Sequence, residues 1–202
     1  MLVGQALAIA LATVTASAAL AEFTGQRRSI NGTGETLSTG ETEAGLTSVA
    51  YGITDDWQVR VPSLAMLVGY GRLEARHRWR LDDKGRFSPY AALETPRHLV
   101  LGADYGWDLG AQQEHSVTVG ARLQYGPMAR PGADGQPLYH SRPLVLPSCE
   151  YDYYWRGNVA YGGIDDYRIY LGHTWAFSRL HVGLILSPAA GFLPLPYAYW
   201  RF

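Results

Sequence analysis

The sequence has almost no lysine and almost no cysteine. Lys84 is the single lysine and Cys149 the single cysteine among 202 residues. One cysteine cannot form an internal disulfide, and it excludes zinc sites of the multi-cysteine kind. Lys plus Arg number 17 against 18 for Asp plus Glu. This balance argues against a nucleic-acid-binding protein, which needs a strongly basic face.

Signatures of catalysis and of cofactor binding are also missing. No His, Asp or Glu cluster has metal-ligand spacing, and no glycine loop leads from a strand into a helix to hold phosphate. The pairs His115-Ser116 and His140-Ser141 are candidate nucleophile sites, but strand neighbours point to opposite faces, so His115 and Ser116 cannot meet. His140-Ser141 has no indicated acid, and Gly-x-Ser-x-Gly is absent. We expect no catalytic residue, no metal and no cofactor.

Long apolar runs are confined to the start of the chain. Residues 1–21 carry no charge and end in the small-x-small triplet Ala19-Leu20-Ala21, which predicts a cleavable signal peptide and therefore export. Residues 22–42 are polar and rich in Gly, Thr and Ser. They have no hydrophobic period, so they are interpreted as a leader or a plug-like extension.

From Glu43 onward the hydrophobic period is two, and no segment has a helical period. In the stretch RLEARHRWRL, the charged residues at 72, 74, 76, 78 and 80 share one strand face, and the apolar ones share the other. Turn signals divide the rest into about ten strands, and eight or twelve stay open. These are roughly 43–52, 57–65, 71–81, 86–95, 98–109, 114–126, 150–162, 166–177, 180–187 and 192–202.

Such a pattern predicts an all-β, single-domain antiparallel barrel over 43–202, with a long loop at 127–149. Glycines lie on the polar faces, as a narrow lumen packed with long arginine side chains requires. Aromatic residues lie towards the strand ends, as at a membrane interface. We therefore expect the apolar face outside, in contact with lipid. The predicted lumen-lining charges are Arg60, Arg72, Glu74, Arg76, Arg78, Arg80, Glu94, Asp104, Asp108, Arg122, Arg156 and Arg168. The predicted aromatic girdle is Trp57, Trp79, Trp107, Tyr125, Tyr151, Tyr161, Tyr167, Trp175 and Phe177.

The last strand alternates into the final residue, so that Ala198, Trp200 and Phe202 share one face. A chain of amphipathic strands with this ending resembles the bacterial outer-membrane β-barrel proteins. The resemblance implies an outer-membrane location in contact with the lipid bilayer and lipopolysaccharide. It also implies that Ala198, Trp200 and Phe202 are an insertion signal for the barrel-assembly machinery.

Function is less narrowly defined by the sequence. The expected role is a porin-like or transport-associated barrel whose Arg-rich lumen admits small anionic solutes, or a plugged barrel that is mainly structural. A lipid-modifying hydrolase of the outer membrane and a secreted soluble ligand-binding barrel are the alternatives. Ten strands would place the loop 127–149 at the same end as the termini, where turns should be short. Either a strand has been missed or split, or the stretch QPLYHSRPLVL at 136–146 contributes a strand.

Overall fold

The computed structural model is a closed antiparallel β-barrel. It describes residues 33–63, 71–95, 98–110, 113–126, 128–131, 137–140, 143–165, 168–177, 179–188 and 191–202. The predicted signal peptide and most of the predicted leader lie outside these residues. Within the described ranges, no helix is long and apolar enough to cross a membrane.

Fifteen strands are described. In chain order they are β1 Thr42–Gly45, β2 Ser48–Thr54, β3 Trp57–Pro62, β4 Arg72–His77, β5 Trp79–Arg80, β6 Gly85–Glu94, β7 His98–Leu109, β8 His115–Tyr125, β9 Met128–Pro131, β10 Pro137–His140, β11 Leu144–Trp155, β12 Asn158–Asp165, β13 Arg168–Ala176, β14 Leu180–Leu186 and β15 Leu195–Arg201. Strands β9 and β10 form a separate hairpin.

The other thirteen strands form one sheet, in which β4 and β5 both pair with β6. Because they share one position, the described barrel has twelve strand positions. The register with β6 is the same before and after the break at Arg78. Continued through the break, that register places Pro89 opposite His77. Proline has no amide hydrogen, so it cannot donate to the ladder there.

Two missed turns explain why about ten strands were predicted. The segment 43–52 is divided by a turn at Leu46 and Thr47 into β1 and β2. The segment 150–162 is divided at Arg156 and Gly157, where β11 meets β12. Both residues of the second turn have positive φ, 43° and 77°. Hairpin turns of this type usually carry Asn-Gly, and an arginine at the first position hid the signal.

The corrected count also moves the long loop. Both described termini of the barrel, Thr42 in β1 and Arg201 in β15, lie at one end, which we call the terminal end. Seven strand positions precede residue 126, so the segment between β8 and β11 lies at the opposite end, the loop end. The predicted conflict between a long loop and the short-turn end therefore disappears.

The outer surface is apolar and the interior is polar. Exposed outward side chains along the strands include Leu101, Val119 and Leu171, each between 44% and 60% exposed. Buried residues on the alternate positions include Glu74, Asp104 and Asp152. This is the reverse of a soluble barrel, in which the apolar face fills the interior.

All six tryptophans lie outside and near the terminal end. They are Trp57, Trp79, Trp107, Trp155, Trp175 and Trp200. Several pack against histidines: His77 lies 4.5 Å from Trp57 and 4.8 Å from Trp79 between ring centroids, and His173 lies 4.6 Å from Trp175. The tryptophans thus form a belt at one end, instead of capping both ends of the apolar band.

The turn at Arg156 and Gly157 corrects one girdle residue. A two-residue turn reverses which parity faces inward, so Tyr161 faces the lumen and not the lipid. Of the other predicted girdle residues, Tyr125 and Tyr151 are exposed and Phe177 is half-buried after β13. Tyr167 lies outside the described residues.

Candidate functional site: the barrel lumen

One wall of the lumen, on β3 to β8, is a network of ion pairs. Arg72 pairs with Glu94 and, at 2.6 Å, with Glu74. Arg76 pairs with Asp104 and lies 3.4 Å from Glu74. Carboxylates match these guanidinium groups, as enclosed charges require. Arginine is therefore abundant on this wall, but its charge is neutralised locally.

A second cluster centres on Arg86, which is 3% exposed. Its guanidinium donates to Asp108 Oδ1 at 2.9 Å, to Ser116 Oγ at 2.8 Å and to the Thr33 carbonyl at 2.6 Å. A Cβ on Gly106 would lie 2.7 Å from its Nε, so only glycine leaves room for the side chain. The inner face therefore carries glycine at position 106 because the neighbouring arginine side chain needs the space.

Residues 33–37 lie inside the barrel, against this wall, and residues 38–40 are exposed. Glu35 bridges Arg78 at 2.7 Å and Arg86 at 3.6 Å. Ser88 Oγ donates to the Gly34 carbonyl at 2.5 Å, and the Leu37 amide donates to Gln58 Oε1 at 3.1 Å. This N-terminal segment occupies lumen space near the terminal end.

The turn between β2 and β3 holds the same segment. Asp55 accepts hydrogen bonds from the amide and the hydroxyl of Thr39, both at 2.8 Å. Both bonds lower the pKa of Asp55 below its ordinary value, and the bond from the amide has the larger effect. Its carboxylate form therefore holds Thr39 at neutral pH.

The opposite wall, on β11 to β15, carries tyrosines and carboxylates. It lines a cavity of about 510 Å³, which we call the tyrosine cavity. Its lining includes Glu150, Tyr161, Tyr170, Tyr197 and Tyr199.

Hydrogen bonds fix several of these rings. Tyr170 donates to Glu150 Oε2 at 2.5 Å, and Tyr161 donates to the Tyr197 hydroxyl at 2.9 Å. The Tyr197 hydroxyl is also bonded to Thr174. A Cβ on Gly172 would overlap the Tyr161 ring, so this glycine lets the ring lie flat against the wall.

The barrel closes where β1 meets β15. The Thr42 amide donates to the Phe202 carbonyl at 2.9 Å, and the Phe202 amide donates to the Thr42 carbonyl at 3.0 Å. On the inner side, Arg201 Nε donates to Glu43 Oε2 at 3.1 Å, and both side chains are buried. On the outer side, Ala198, Trp200 and Phe202 share the outward parity. Because β15 pairs with β1 along one edge and with β14 along the other, the last strand is hydrogen-bonded along both edges.

The predicted lumen charges divide into two groups. Arg60, Arg72, Glu74, Arg76, Arg78, Glu94, Asp104, Asp108 and Arg122 lie on the inner face, with Arg60 in register with Glu74 and Arg122 3.1 Å from Asp165. Three arginines are exposed at the ends of strands. Arg80 is in register with the inward-facing Arg86 and lies at the rim of the terminal end. Arg168 is exposed at the rim of the tyrosine cavity. Arg156 is exposed in the turn with Gly157, because the strand ends there.

Several lumen residues were missed from the sequence. Arg86 has the same parity as Glu94 on β6, so the alternation that placed Glu94 would also have found it. Glu150 and Asp152 share an inward parity on β11 in the same way. The tyrosines had no such signal, because tyrosine suits both a lumen and a membrane interface.

His115 and Ser116 point to opposite faces, as strand geometry requires. His115 Nδ1 lies 2.7 Å from the Tyr151 hydroxyl on the outside, whereas Ser116 is fully buried inside. Ser141 and the side chain of His140 lie outside what the structure describes.

The polarity of the wall now decides the class of barrel. The chain has the architecture of an outer-membrane β-barrel. A barrel that spans a membrane needs an apolar outer surface, paired charges in its lumen and no free strand edge, and the described residues provide all three.

Comparisons with known proteins are sparse. No family model matches the sequence, and no curated protein matches it. Among solved structures, it is similar to the NanC porin, with a TM-score of 0.48, 9% identity, and cover of 80% of this chain and 96% of that chain. It is also similar to the KdgM porin, with a TM-score of 0.43, 8% identity, and cover of 80% and 94%. A KdgM porin in complex with disordered oligogalacturonate gives a TM-score of 0.43 and 8% identity, with cover of 80% of this chain and 92% of that chain. Scores this low carry no functional argument, so we take function from the geometry of this chain.

Proposed function

We propose that this protein is an integral barrel of the bacterial outer membrane that passes small polar solutes through a narrow lumen. The observation that carries this proposal is the inverted polarity of the closed barrel. Contiguous apolar surface of this extent is unfavourable in water and favourable in lipid. We propose that the terminal end faces the periplasm, because it carries short turns and both described ends of the barrel, as the periplasmic side of such barrels does.

The size of the barrel supports a passage that is partly filled. Eight strands give an interior just filled by side chains, whereas sixteen to eighteen leave an aqueous channel. Twelve positions lie between these limits. Residues 33–37 and the Arg86 cluster occupy part of the terminal end, while the tyrosine cavity leaves space on the other wall. We therefore propose low conductance with the N-terminal segment as the main obstruction.

Planar-bilayer recording of refolded full-length protein tests the proposal. Wild-type protein should give small, steady current steps. Glu35→Ala removes the bridge to Arg78 and Arg86, so it should free the segment and give larger or noisier steps. Asp83→Asn, which changes an exposed turn charge at the rim of the terminal end, should behave like wild type. No current in the wild type would contradict a passage, and unchanged steps in Glu35→Ala would contradict the obstruction.

Ion selectivity tests the solute class that the arginine content predicts. Small anions remain a predicted solute, but the ion pairs on the arginine wall reduce its net charge. The reversal potential in a salt gradient distinguishes the outcomes. A strong anion preference would favour the arginine wall as the conducting surface. A weak or cationic preference would favour the tyrosine wall.

A further inference from the structure

The lumen is divided chemically into a balanced wall and an unbalanced one. On the β3 to β8 wall, Arg72, Arg76 and Arg86 each contact carboxylates within salt-bridge distance. On the opposite wall, Glu150 has a tyrosine hydroxyl as its hydrogen-bond partner. Among the described residues Glu150 forms no ion pair, so this wall presents a carboxyl group without a cationic partner.

Glu150 is the unusual group in this wall. Its side chain lines the tyrosine cavity, and the residue is only 7% exposed. Oε2 accepts from Tyr170, but Oε1 has no hydrogen-bond partner among the described residues. An enclosed carboxylate oxygen without a donor is costly. A ligand that brings a donor, above all a charged one, would remove this cost.

The tyrosine rings favour the same kind of ligand. Tyr197 and Tyr199 stack with centroids 6.3 Å apart, and Tyr161 lies 6.3 Å from Tyr170. Aromatic faces attract cations, and phenol hydroxyls can bond to the polar body of a solute. The rings thus complement a positively charged, partly polar molecule.

The described arginines near the cavity are paired or lie at its rim. Arg201, 5.7 Å from the centroid of the Tyr199 ring, is paired with Glu43. Arg168 lines the rim and is exposed. Arg122 is 3.1 Å from Asp165, so its charge is engaged there. At the depth of Glu150 the cavity lining has carboxylate and phenol groups, and an anion would be repelled there.

We infer that the tyrosine cavity binds small solutes that carry a protonated amine. The ammonium group would donate to the Glu150 carboxylate, whose enclosed Oε1 would turn towards the cavity on binding, and the body of the solute would lie against Tyr161, Tyr197 and Tyr199. This inference rests on the proposed function, because the lumen is the route by which a solute reaches the cavity. It names the class of solute that the passage would favour.

Calorimetry on refolded full-length protein in detergent tests this with three sugars of similar shape. Glucosamine carries a positive charge, glucose is neutral and glucuronate is negative. Glucosamine should bind most tightly. Glu150→Gln keeps the size of the side chain but removes its charge, so it should weaken glucosamine binding about tenfold or more. Asp83→Asn, the matched charge change away from the tyrosine cavity, should leave binding unchanged.

Two results would overturn the inference: equal or tighter binding of glucose or glucuronate, or unaltered glucosamine binding in Glu150→Gln. If that variant does not fold, Tyr197→Leu replaces it, and full affinity in Tyr197→Leu would also overturn the inference. Bilayer current keeps the two proposals apart. Binding without conductance would contradict only the proposed passage of solutes. Conductance without glucosamine binding would contradict only the proposed amine site.

Discussion

At the scale of single residues, burial determines which arginines contribute to the stability of the barrel. Arg86 is 3% exposed and holds Asp108, Ser116 and the Thr33 carbonyl. Replacing it with leucine leaves a buried carboxylate without its cation. We expect Arg86→Leu to lower the free energy of unfolding by about 3–5 kcal/mol, measured by urea titration in detergent or lipid.

Arg80 is the control for Arg86, because the same sequence pattern predicted it as a lumen residue but it is exposed at the end of β5. Arg80→Leu should change the free energy of unfolding by about 0.5 kcal/mol or less. Equal losses in the two variants would show that the lumen network does not stabilise the barrel.

Lipid contact can be tested one position at a time. Val119 lies in the middle of β8 and is 44% exposed on the outer face. Val119→Arg should cost about 2–4 kcal/mol near the bilayer midplane. Leu81→Arg, at the edge of the apolar band, should cost about 0–1 kcal/mol. The measurement is unfolding in lipid vesicles, and equal costs at the two depths would contradict a bilayer around β8.

The sequence predicts lumen charges well where a strand is long and strictly alternating. Glu74 and Asp104 are inward for that reason. It fails for Tyr161, because one unrecognised turn exchanged the two faces. It cannot find Glu35, since the polar leader has no period and its contacts with Arg78 and Arg86 exist only in the closed barrel.

At the scale of elements, turns set both strand number and sidedness. The turn at Arg156 and Gly157 has positive φ at both positions. Arg156→Asn should preserve or slightly raise stability, because asparagine tolerates this conformation. Gly157→Val should lower it by roughly 1–2 kcal/mol. Thermal unfolding measures both. Equal melting temperatures for all three proteins would mean that the hairpin between β11 and β12 does not use this turn.

The missed turns also show why barrels are hard to count from sequence. Turn signals at Thr54 to Asp56 and at Asp82 to Gly85 use acidic residues and glycine, and these turns were found. The turn at Leu46 and Thr47 has an apolar residue in place of such a signal. The hydrophobic pattern therefore continued through the turn and concealed it.

At the scale of the whole molecule, closure makes the barrel resistant to unfolding. Backbone bonds tie Thr42 to Phe202, and Arg201 pairs with Glu43 inside the seam. A closed barrel has no free sheet edge. Protein extracted from membranes in detergent should therefore run differently on a gel with and without boiling. A single mobility under both conditions, or a fully soluble monomer in detergent-free buffer, would contradict the closed membrane barrel.

The central claim is that the apolar face meets lipid and the charged face meets the lumen. Fluorescent labels on single cysteines test it most directly, in a Cys149→Ser background and in vesicles with nitroxide groups at the bilayer centre. A label at Leu101→Cys should be quenched strongly by the lipid nitroxide and weakly by acrylamide, a neutral aqueous quencher. A label at Tyr161→Cys should show the opposite order. If the Tyr161 position is quenched by lipid and the Leu101 position by acrylamide, the inside and outside of this barrel are wrongly assigned.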